Sequence, residues 1–520
     1  MKNNTFRKVS AALVALAAVI STAPAAFAQA AYVKTFDLPT KPTTDGTFKG
    51  VDPTGAQLQM WVNFTGATET SYNALVTQFN STNPWKITVT GTAKGAYPDV
   101  YNAVLGAIQT KSLPNISVAY QNQAATYQTA NVVLPLDSYV NDPVYGLGDA
   151  GKAEFLPGIL DADLNPQFNN ARLGFPLYRS AEAIYYNVDA LKNLGYDTFP
   201  KTWDDLKKVS LAYYKATGNV AYEVRTDASW VAAAAFAQGG NIFDAKSGKF
   251  TYDSAEAQVG PAAMADLLNQ GAVGLISNAS GFSDEADFGT GKTLFYGSST
   301  SGLNYILKAI TDGKGNFSVG VAPLPYTGNQ PTMDLYGASW SVFATGTPAQ
   351  QLASWLFIRW FSEAEQQAPW VQASGYFSIR TSTAPLLADY FAKNPVYKAA
   401  SDLLKNTKAE PPIAGYDPIR TEAGKAFNDV LDGQPVKTRF AALNAFANTT
   451  LASFKPNLVP PTPKPPKPTA AATMSGTMAP VMAATMVATM APTMSATMAP
   501  TMAATMSATM APTMAATTAK

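Results

Sequence analysis

Two aromatic residues stand where an open α/β sheet gathers its ligands. Trp61 closes the run Leu58-Gln59-Met60-Trp61, and Tyr120 closes the apolar run 116–120. Both fall at the C-terminal ends of predicted strands, the edge at which parallel sheets place their sites. A Trp or Tyr face packs on apolar C–H surface, such as that of a sugar ring, while a few polar side chains hold the hydroxyls. Covalent chemistry has little to work with. The 520 residues include no His and no Cys, which removes Ser-His-Asp catalysis, a thiolate nucleophile, thiolate metal sites and disulfides. Two carboxylates could hydrolyse a glycoside, but among 36 Asp and Glu residues some pair can always be imagined, so no pair is supported. No catalytic residue, cofactor or metal is expected.

Two short motifs invite sharper readings. Gly289-Thr290-Gly291-Lys292-Thr293 looks like a phosphate loop, yet such a loop needs a Gly five positions before its second Gly, where Ala286 stands. Asp284, Glu285 and Asp287 form the densest acidic cluster. The cluster lacks the alternating oxygen ligands and Gly turn of a calcium loop and reads as the solvated start of a helix.

The elements that must position the aromatics can be followed along the chain. Tyr72, Leu75, Val76 and Phe79 share one face of a helix over 68–80, which Asn83-Pro84 ends. A strand follows at Ile87 and Val89, then a helix near 101–111 and a strand at 116–120. Alternating strands and helices imply a mostly parallel sheet covered on both faces. About 400 residues of this pattern exceed one core and imply two lobes.

Both ends of the chain are unlike this middle. Lys2, Arg7 and Lys8 precede the apolar run 11–20, and Ala26-Phe27-Ala28 offers a small-x-small cleavage site, so residues 1–28 read as an export signal. The apolar run is too short to span a bilayer as a helix. Without the signal, 34 basic residues face 36 acidic ones, a balance with no footprint for nucleic acid. Residues 29–56 read as a flexible lead-in. Residues 456–468 are rich in Pro and Lys, an extended spacer. From Met474 to Met514 every fourth residue is Met, with Pro480, Pro492, Pro500 and Pro512 breaking any helix. That tail reads as a disordered stalk. Its thioethers are soft enough for Cu(I), although repeat expansion accounts for the regularity equally well.

Two segments carry a family resemblance. In 336–382 a strand is punctuated by Gly346-Thr347-Pro348 and followed by a helix apolar on nearly every face: Leu352, Trp355, Leu356, Phe357, Ile358, Trp360 and Phe361. Ser362 and Glu365 then have capping-box spacing, and Gly375-Tyr376 makes a turn. In 175–206 a strand ends in Tyr185-Tyr186-Asn187, a short helix carries Asp189, Leu191 and Gly195, and Pro200-Lys201-Thr202-Trp203 opens another helix, with Thr202 as its N-cap. Together these resemble the extracellular solute-binding proteins, family 1, of ABC importers, the group that takes maltose, other sugars and glycerol-3-phosphate. The resemblance spans 58–454.

The resemblance implies an α/β fold of the two-lobed periplasmic-binding-protein type II, maltose-binding-like, with discontinuous lobes joined by a hinge. Crossings are expected near 178–182, 319–323 and 348, giving lobe 1 as 57–179 plus 319–350 and lobe 2 as 180–318 plus 351–455. It implies a non-enzymatic, monomeric protein outside the cytoplasmic membrane, without a lipid-bearing Cys, that closes on a carbohydrate and delivers it to ABC permease subunits. It adds Tyr97, Gln121, Ser180, Trp230, Gly337 and Tyr376 as ligand contacts beside Trp61 and Tyr120. Phe288, Gly291 and Lys292 match the pattern that precedes the family's cleft strand, whose Ser/Gly loop adds Ser299. Three departures set the chain apart from the glycerol-3-phosphate pattern. Phe377-Ser378 replaces Leu-Pro, Gln121 replaces a Glu, and no Arg in 411–420 sits at the phosphate-binding position, Arg420 being displaced by several residues. A sugar or polyol fits better, with glycerol-3-phosphate the alternative and Arg179 a cation for an anionic ligand. A carboxylate glycosidase and a surface adhesion protein are the alternatives from other classes.

Overall fold

The computed structural model describes residues 38–276 and 283–454. The expected export signal, Pro-rich spacer and Met repeat lie outside the described residues. Two β-sheets organise the rest. The first is five-stranded, in the order β2-β1-β3-β11-β4: β1 (Gln57–Val62), β2 (Thr88–Ala93), β3 (Ile116–Ala119), β4 (Phe175–Pro176) and β11 (Ser339–Val342). β1 pairs in parallel with β2 and β3, while β11 runs antiparallel between β3 and β4. The second is seven-stranded. Its central strand β5 (Ser180–Asn187) is flanked on one side by β8 (Phe295–Ser299), which leads to β6 (Tyr222–Val224) and β7 (Val273–Leu275). On the other side lie β9 (Val319–Ala322) and β10 (Met333–Tyr336), with β12 (Thr407–Ala409) beyond β10. Each sheet has its own buried apolar cluster. The molecule is a two-lobed α/β protein of the periplasmic-binding-protein type.

The first sheet places helices α1 (Gly66–Thr82), α2 (Tyr97–Thr110) and α3 (Gln121–Gln128) directly after its strands. Tyr72, Leu75, Val76 and Phe79 are the buried face of α1, and Asn83 is its C-cap. α8 (Pro348–Phe361) is buried along almost its whole length. Trp340 of β11 stacks on its Phe357 with ring centroids 5.4 Å apart, and Trp355 donates to the Tyr145 carbonyl at 2.8 Å. Burying aromatic side chains of this size dominates core energetics. In the second lobe α4 (Trp203–Thr217), α5 (Ala228–Ala237), α6 (Ala255–Asn269), α10 (Tyr416–Leu431) and α11 (Val436–Ser453) pack around Trp203, Trp230 and Phe427. Thr202 caps α4, its hydroxyl accepting from Asp205 N at 3.2 Å.

The strand pairing differs from the expected lobe boundaries at two crossings. Val319–Ala322 does not open the return to lobe 1; it pairs antiparallel with β5 in the second sheet. The chain returns at Gly337 and Ala338, between β10 of one sheet and β11 of the other. Pro348 is no crossing either. It occupies the first turn of α8, capped by Thr347 and Gln350, and a helix apolar all round must stay where it is covered. The last crossing comes after α9 (Ala364–Ser374), where Phe377 bridges to Arg179. Three smaller expectations also change. Residues 38–56 are no loose lead-in: Phe48 is buried against Tyr139 at 4.3 Å and Trp85 donates to the Pro39 carbonyl at 3.0 Å. Ser362 is the C-cap of α8, its hydroxyl on the Arg359 carbonyl at 2.7 Å, so no Ser362–Glu365 capping box forms. Asp284 is not solvated; it is buried and takes two bonds from Arg225, at 2.6 and 2.7 Å.

Candidate functional site

Where the lobes face each other lies a cavity of about 230 Å³. The first lobe contributes Tyr97, at the start of α2, and Tyr120 and Gln121, at the junction of β3 and α3. The rings of Tyr97 and Tyr120 lie 4.8 Å apart at 55°. The second lobe contributes Tyr336 from the end of β10, Glu410 and Pro411 after β12, and Tyr416, Asp417 and Arg420 from the first turns of α10. Polar bonds reach across the cleft. Asn122 Nδ2 donates to Asp417 at 2.7 Å, Ala414 N donates to Gln167 Oε1 at 2.7 Å, and Asn165 donates to the Pro412 carbonyl. The lobes are therefore closed on the cavity.

The structure brings together only some of the expected contact residues. Tyr97, Tyr120 and Gln121 line the cavity. Tyr376 stands behind Tyr97, the two hydroxyls 3.1 Å apart, with its ring 4.6 Å from that of Tyr178. Gly337 sits at the crossing with φ +135°, and a Cβ there would lie 3.1 Å from the Tyr178 carbonyl. Its own carbonyl accepts from Gln121 at 3.3 Å. Ser180 is buried on β5, its hydroxyl 3.4 Å from the Tyr336 carbonyl. Ser299 caps a short turn ahead of α7 (Leu303–Asp312), its hydroxyl 2.8 Å from that of Ser301, and is not itself among the lining residues. Trp61 lies under Lys94, whose ammonium is 4.4 Å from its ring centroid, and also misses the lining. Trp230 belongs to the core of the second lobe. It is 1 % exposed, stacks on Phe427 at 4.5 Å and donates to Tyr222 at 3.2 Å. An α-helix made of Ala on most sides leaves Trp230 as its packing anchor, so burial takes the ring that the resemblance assigned to ligand.

Arg179 is likewise withdrawn from any ligand. Its guanidinium is buried against Asp163 at 2.8 Å and donates to the carbonyls of Tyr178, Gly337 and Ala338. It thereby ties the outgoing crossing to the returning one, and Gln121 reaches the same cluster through Ser339 at 3.1 Å.

The family model for bacterial extracellular solute-binding proteins matches residues 74–405. The chain belongs to that family. It is 26 % identical over 356 residues to the sn-glycerol-3-phosphate-binding periplasmic protein UgpB of Rhizobium meliloti, covering 65 % of this chain and 79 % of the relative. UgpB of Brucella melitensis is 25 % identical over 357 residues, covering 65 % and 78 %. Among solved structures, the sugar-binding protein MalE of Xanthomonas citri superposes with a TM-score of 0.66 at 21 % identity, over 76 % of this chain and 98 % of that one. UgpB of Mycobacterium tuberculosis in complex with glycerophosphocholine superposes at 0.64 with 20 % identity, over 76 % and 99 %. These structures share the fold. Family members are non-enzymatic, extracytoplasmic substrate-binding components of ABC importers, and this solute-binding protein is one of them.

On the second wall of this solute-binding protein the sequence reading reached only the stretch 411–420 and its displaced Arg420, and it missed Tyr336, Glu410, Tyr416 and Asp417 as lining residues. Glu410 accepts from the Tyr416 hydroxyl at 2.6 Å and the Ser229 hydroxyl at 2.7 Å and pairs with Arg420. Burial would raise the Glu410 carboxyl, and the adjacent Arg420 charge overcomes it and holds the group below its ordinary value. Asp417 is raised by burial in spite of Arg420. Behind them Glu182 takes a bond from the Tyr336 hydroxyl at 2.9 Å. Its carboxyl is pushed up to about 8 by burial and by the negative charge of Asp227. The sequence carried one signal for this wall, Gly415-Tyr416-Asp417 opening a helix, and Arg420 one turn later on the same face.

Proposed function

We propose that this protein captures a neutral polyhydroxylated solute, a sugar or polyol of about one ring, and presents it in the closed form to the permease subunits of its importer. One observation carries the reading. The cavity has two tyrosine rings on one wall and, on the other, two carboxylates to one guanidinium: Glu410, Asp417 and Arg420 are the charged residues lining it. Rings take the apolar face of a sugar, while carboxylates and the amides of Gln121, Asn122 and Gln123 take its hydroxyls. A phosphomonoester would enter a wall whose net charge is already negative and whose cation is engaged. At about 230 Å³ the space falls below the ~300–1,000 Å³ of pockets for drug-sized ligands, which suits a single ring. Closure follows from ligand contacts to both lobes, which favour the closed state over the open one.

A zwitterionic glycerophosphodiester is the second reading. It is supported by the relatives named for glycerol-3-phosphate, and by Arg420 lying beside carboxylates and Tyr416, where a phosphate and a quaternary ammonium could each find a partner. Titration calorimetry with glucose, glycerol, sn-glycerol 3-phosphate and glycerophosphocholine separates the two. A hexose is expected to bind and the phosphomonoester not to. Tight binding of either phosphate compound with no response to sugars or polyols would overturn the first reading.

A further inference from the structure

Arg420 does more than line the cavity. On its far side lies an open groove of about 500 Å³, formed where the turn at Thr226 and Asp227 meets one face of α10. Arg420 is the one residue that lines both spaces. Its side chain is 32 % exposed, while Glu410, which lines the cavity alone, is 10 % exposed.

Three interactions hold the guanidinium, which extends from the second turn of α10. It pairs with Glu410, donates to the Ser229 hydroxyl at 2.9 Å and lies 5.7 Å from the centroid of the Tyr416 ring. The planar fork suits such a multiply bonded position better than a flexible ammonium would. The groove beyond is built rather than incidental. Gly424, one turn after Arg420, lets α10 approach the loop so closely that a Cβ there would sit 2.9 Å from the Thr226 carbonyl. From Arg420 to Asn428 the groove follows about 12 Å of helix, at ~1.5 Å per residue. Its lining carries Asp227 and Lys425 beside Thr226, Thr421 and Asn428; the Thr421 hydroxyl donates to the Asp417 carbonyl and the Asn428 amide to Asp432, which leaves the Thr421 oxygen and the Asn428 carbonyl as acceptors. That is the chemistry a further sugar unit would need.

We propose that Arg420 is the partition that sets ligand length. With its guanidinium in place the closed cleft takes one ring; with the side chain shortened, cavity and groove join and an oligosaccharide extends along α10. The proposal names a specificity-determining residue for the sugar reading above and rests on that reading for its ligand.

Two measurements on the full chain separate the partition from the sugar reading. In calorimetry with glucose, maltose and maltotriose, the parent is expected to bind glucose at least tenfold more tightly than maltotriose. Arg420→Ala should narrow or reverse that ratio. A parent that binds maltotriose as tightly as glucose overturns the partition. The second measurement needs no ligand. The chain has no Cys, so Leu335→Cys places a lone thiol on the cavity wall. Its labelling by a long polyethylene-glycol maleimide should accelerate at least tenfold when Arg420→Ala is added, and an unchanged rate overturns the partition whatever the sugars do. If no sugar binds while labelling accelerates, the sugar reading fails and the partition stands. Because Arg420→Ala leaves Glu410 unpaired, the double variant Arg420→Ala with Glu410→Gln serves as the folded control. The same acceleration is expected there, and its absence counts against the proposal.

Discussion

The first lobe meets the cavity with Tyr97, Tyr120 and Gln121, all neutral and all attached to a strand end or the first turn of a helix. The second meets it with Glu410, Asp417 and Arg420, charged, cross-bonded and drawn from a connection and a helix more than 200 residues after their own sheet begins at Ser180. The first wall is supported by sheet geometry and by neutral bonds, Tyr97 to Tyr376 and Gln121 to Gly337 and Ser339. The second is an ion network that holds its shape only while every partner is present. Ring stacking can thus be tuned residue by residue on the first wall, whereas a change on the second propagates into stability.

The largest effect expected from this contrast lies outside both walls. Trp230→Ala should cost about 3–5 kcal/mol of stability, as for a buried Trp, with the affinity of the folded protein for its sugar within twofold of the parent. Thermal melts beside calorimetry check it, and a collapse of affinity at unchanged stability would return Trp230 to the second wall. Glu182→Gln sharpens the electrostatic side. The folded protein holds the Glu182 proton up to about pH 8, while the unfolded chain releases it near ~4.3. The stability this proton confers is complete below the unfolded value and is lost as pH rises toward and through 8. Within that window Glu182 lowers stability by about 1.4 kcal/mol per pH unit, with Asp227, Glu410, Arg225 and the Tyr336 hydroxyl as the groups facing it. The Gln variant should therefore gain in melting temperature over the parent progressively from pH 5 to 8; a gap that stays constant with pH would remove Glu182 as its source.

Smaller effects are expected on the first wall. Tyr120→Ala should weaken sugar binding by roughly tenfold, the loss of one stacking face at ~1.5 kcal/mol, while melting changes less than for Trp230→Ala. Equal damage to stability would mean that the neutral wall is as interdependent as the charged one. Asn122→Ala removes a bond that spans the cleft and should cost ~1 kcal/mol of closure, a few-fold in affinity. Small-angle scattering of the ligand-free variant is expected to show a more open molecule, and an unaltered radius of gyration would deny that bond a part in closure.

Much of the fold was legible along the chain. The apolar face of α1, the stop at Asn83, the Thr202 cap and the all-round apolar character of α8 are local patterns, and each forms where the sequence places it. Of the residues now on the cavity lining, Tyr120 was expected from its strand end and Tyr97 and Gln121 from the family resemblance alone, while Trp61, expected by the same rule as Tyr120, is not among them. Trp230 was not, since a Trp on a helix has the same identity whether it faces core or ligand, and only packing against Phe427 and Trp203 distinguishes them. The crossings were displaced because β9 and β10 read as strands of either lobe until hydrogen bonding assigns them to β5.

The sequence by itself determined part of the chemistry: with no His or Cys there is no Ser-His-Asp triad and no thiolate nucleophile, and its two family segments imply a two-lobed binding fold. Periodicity and caps act between residues a few positions apart, and such effects can be read in one dimension. What the tertiary structure alone decided is the charged wall. Glu410, Arg420 and Ser229 become one network across as many as 191 residues of chain, and the signs and burial of groups so distant in sequence have meaning only once folding removes the water between them.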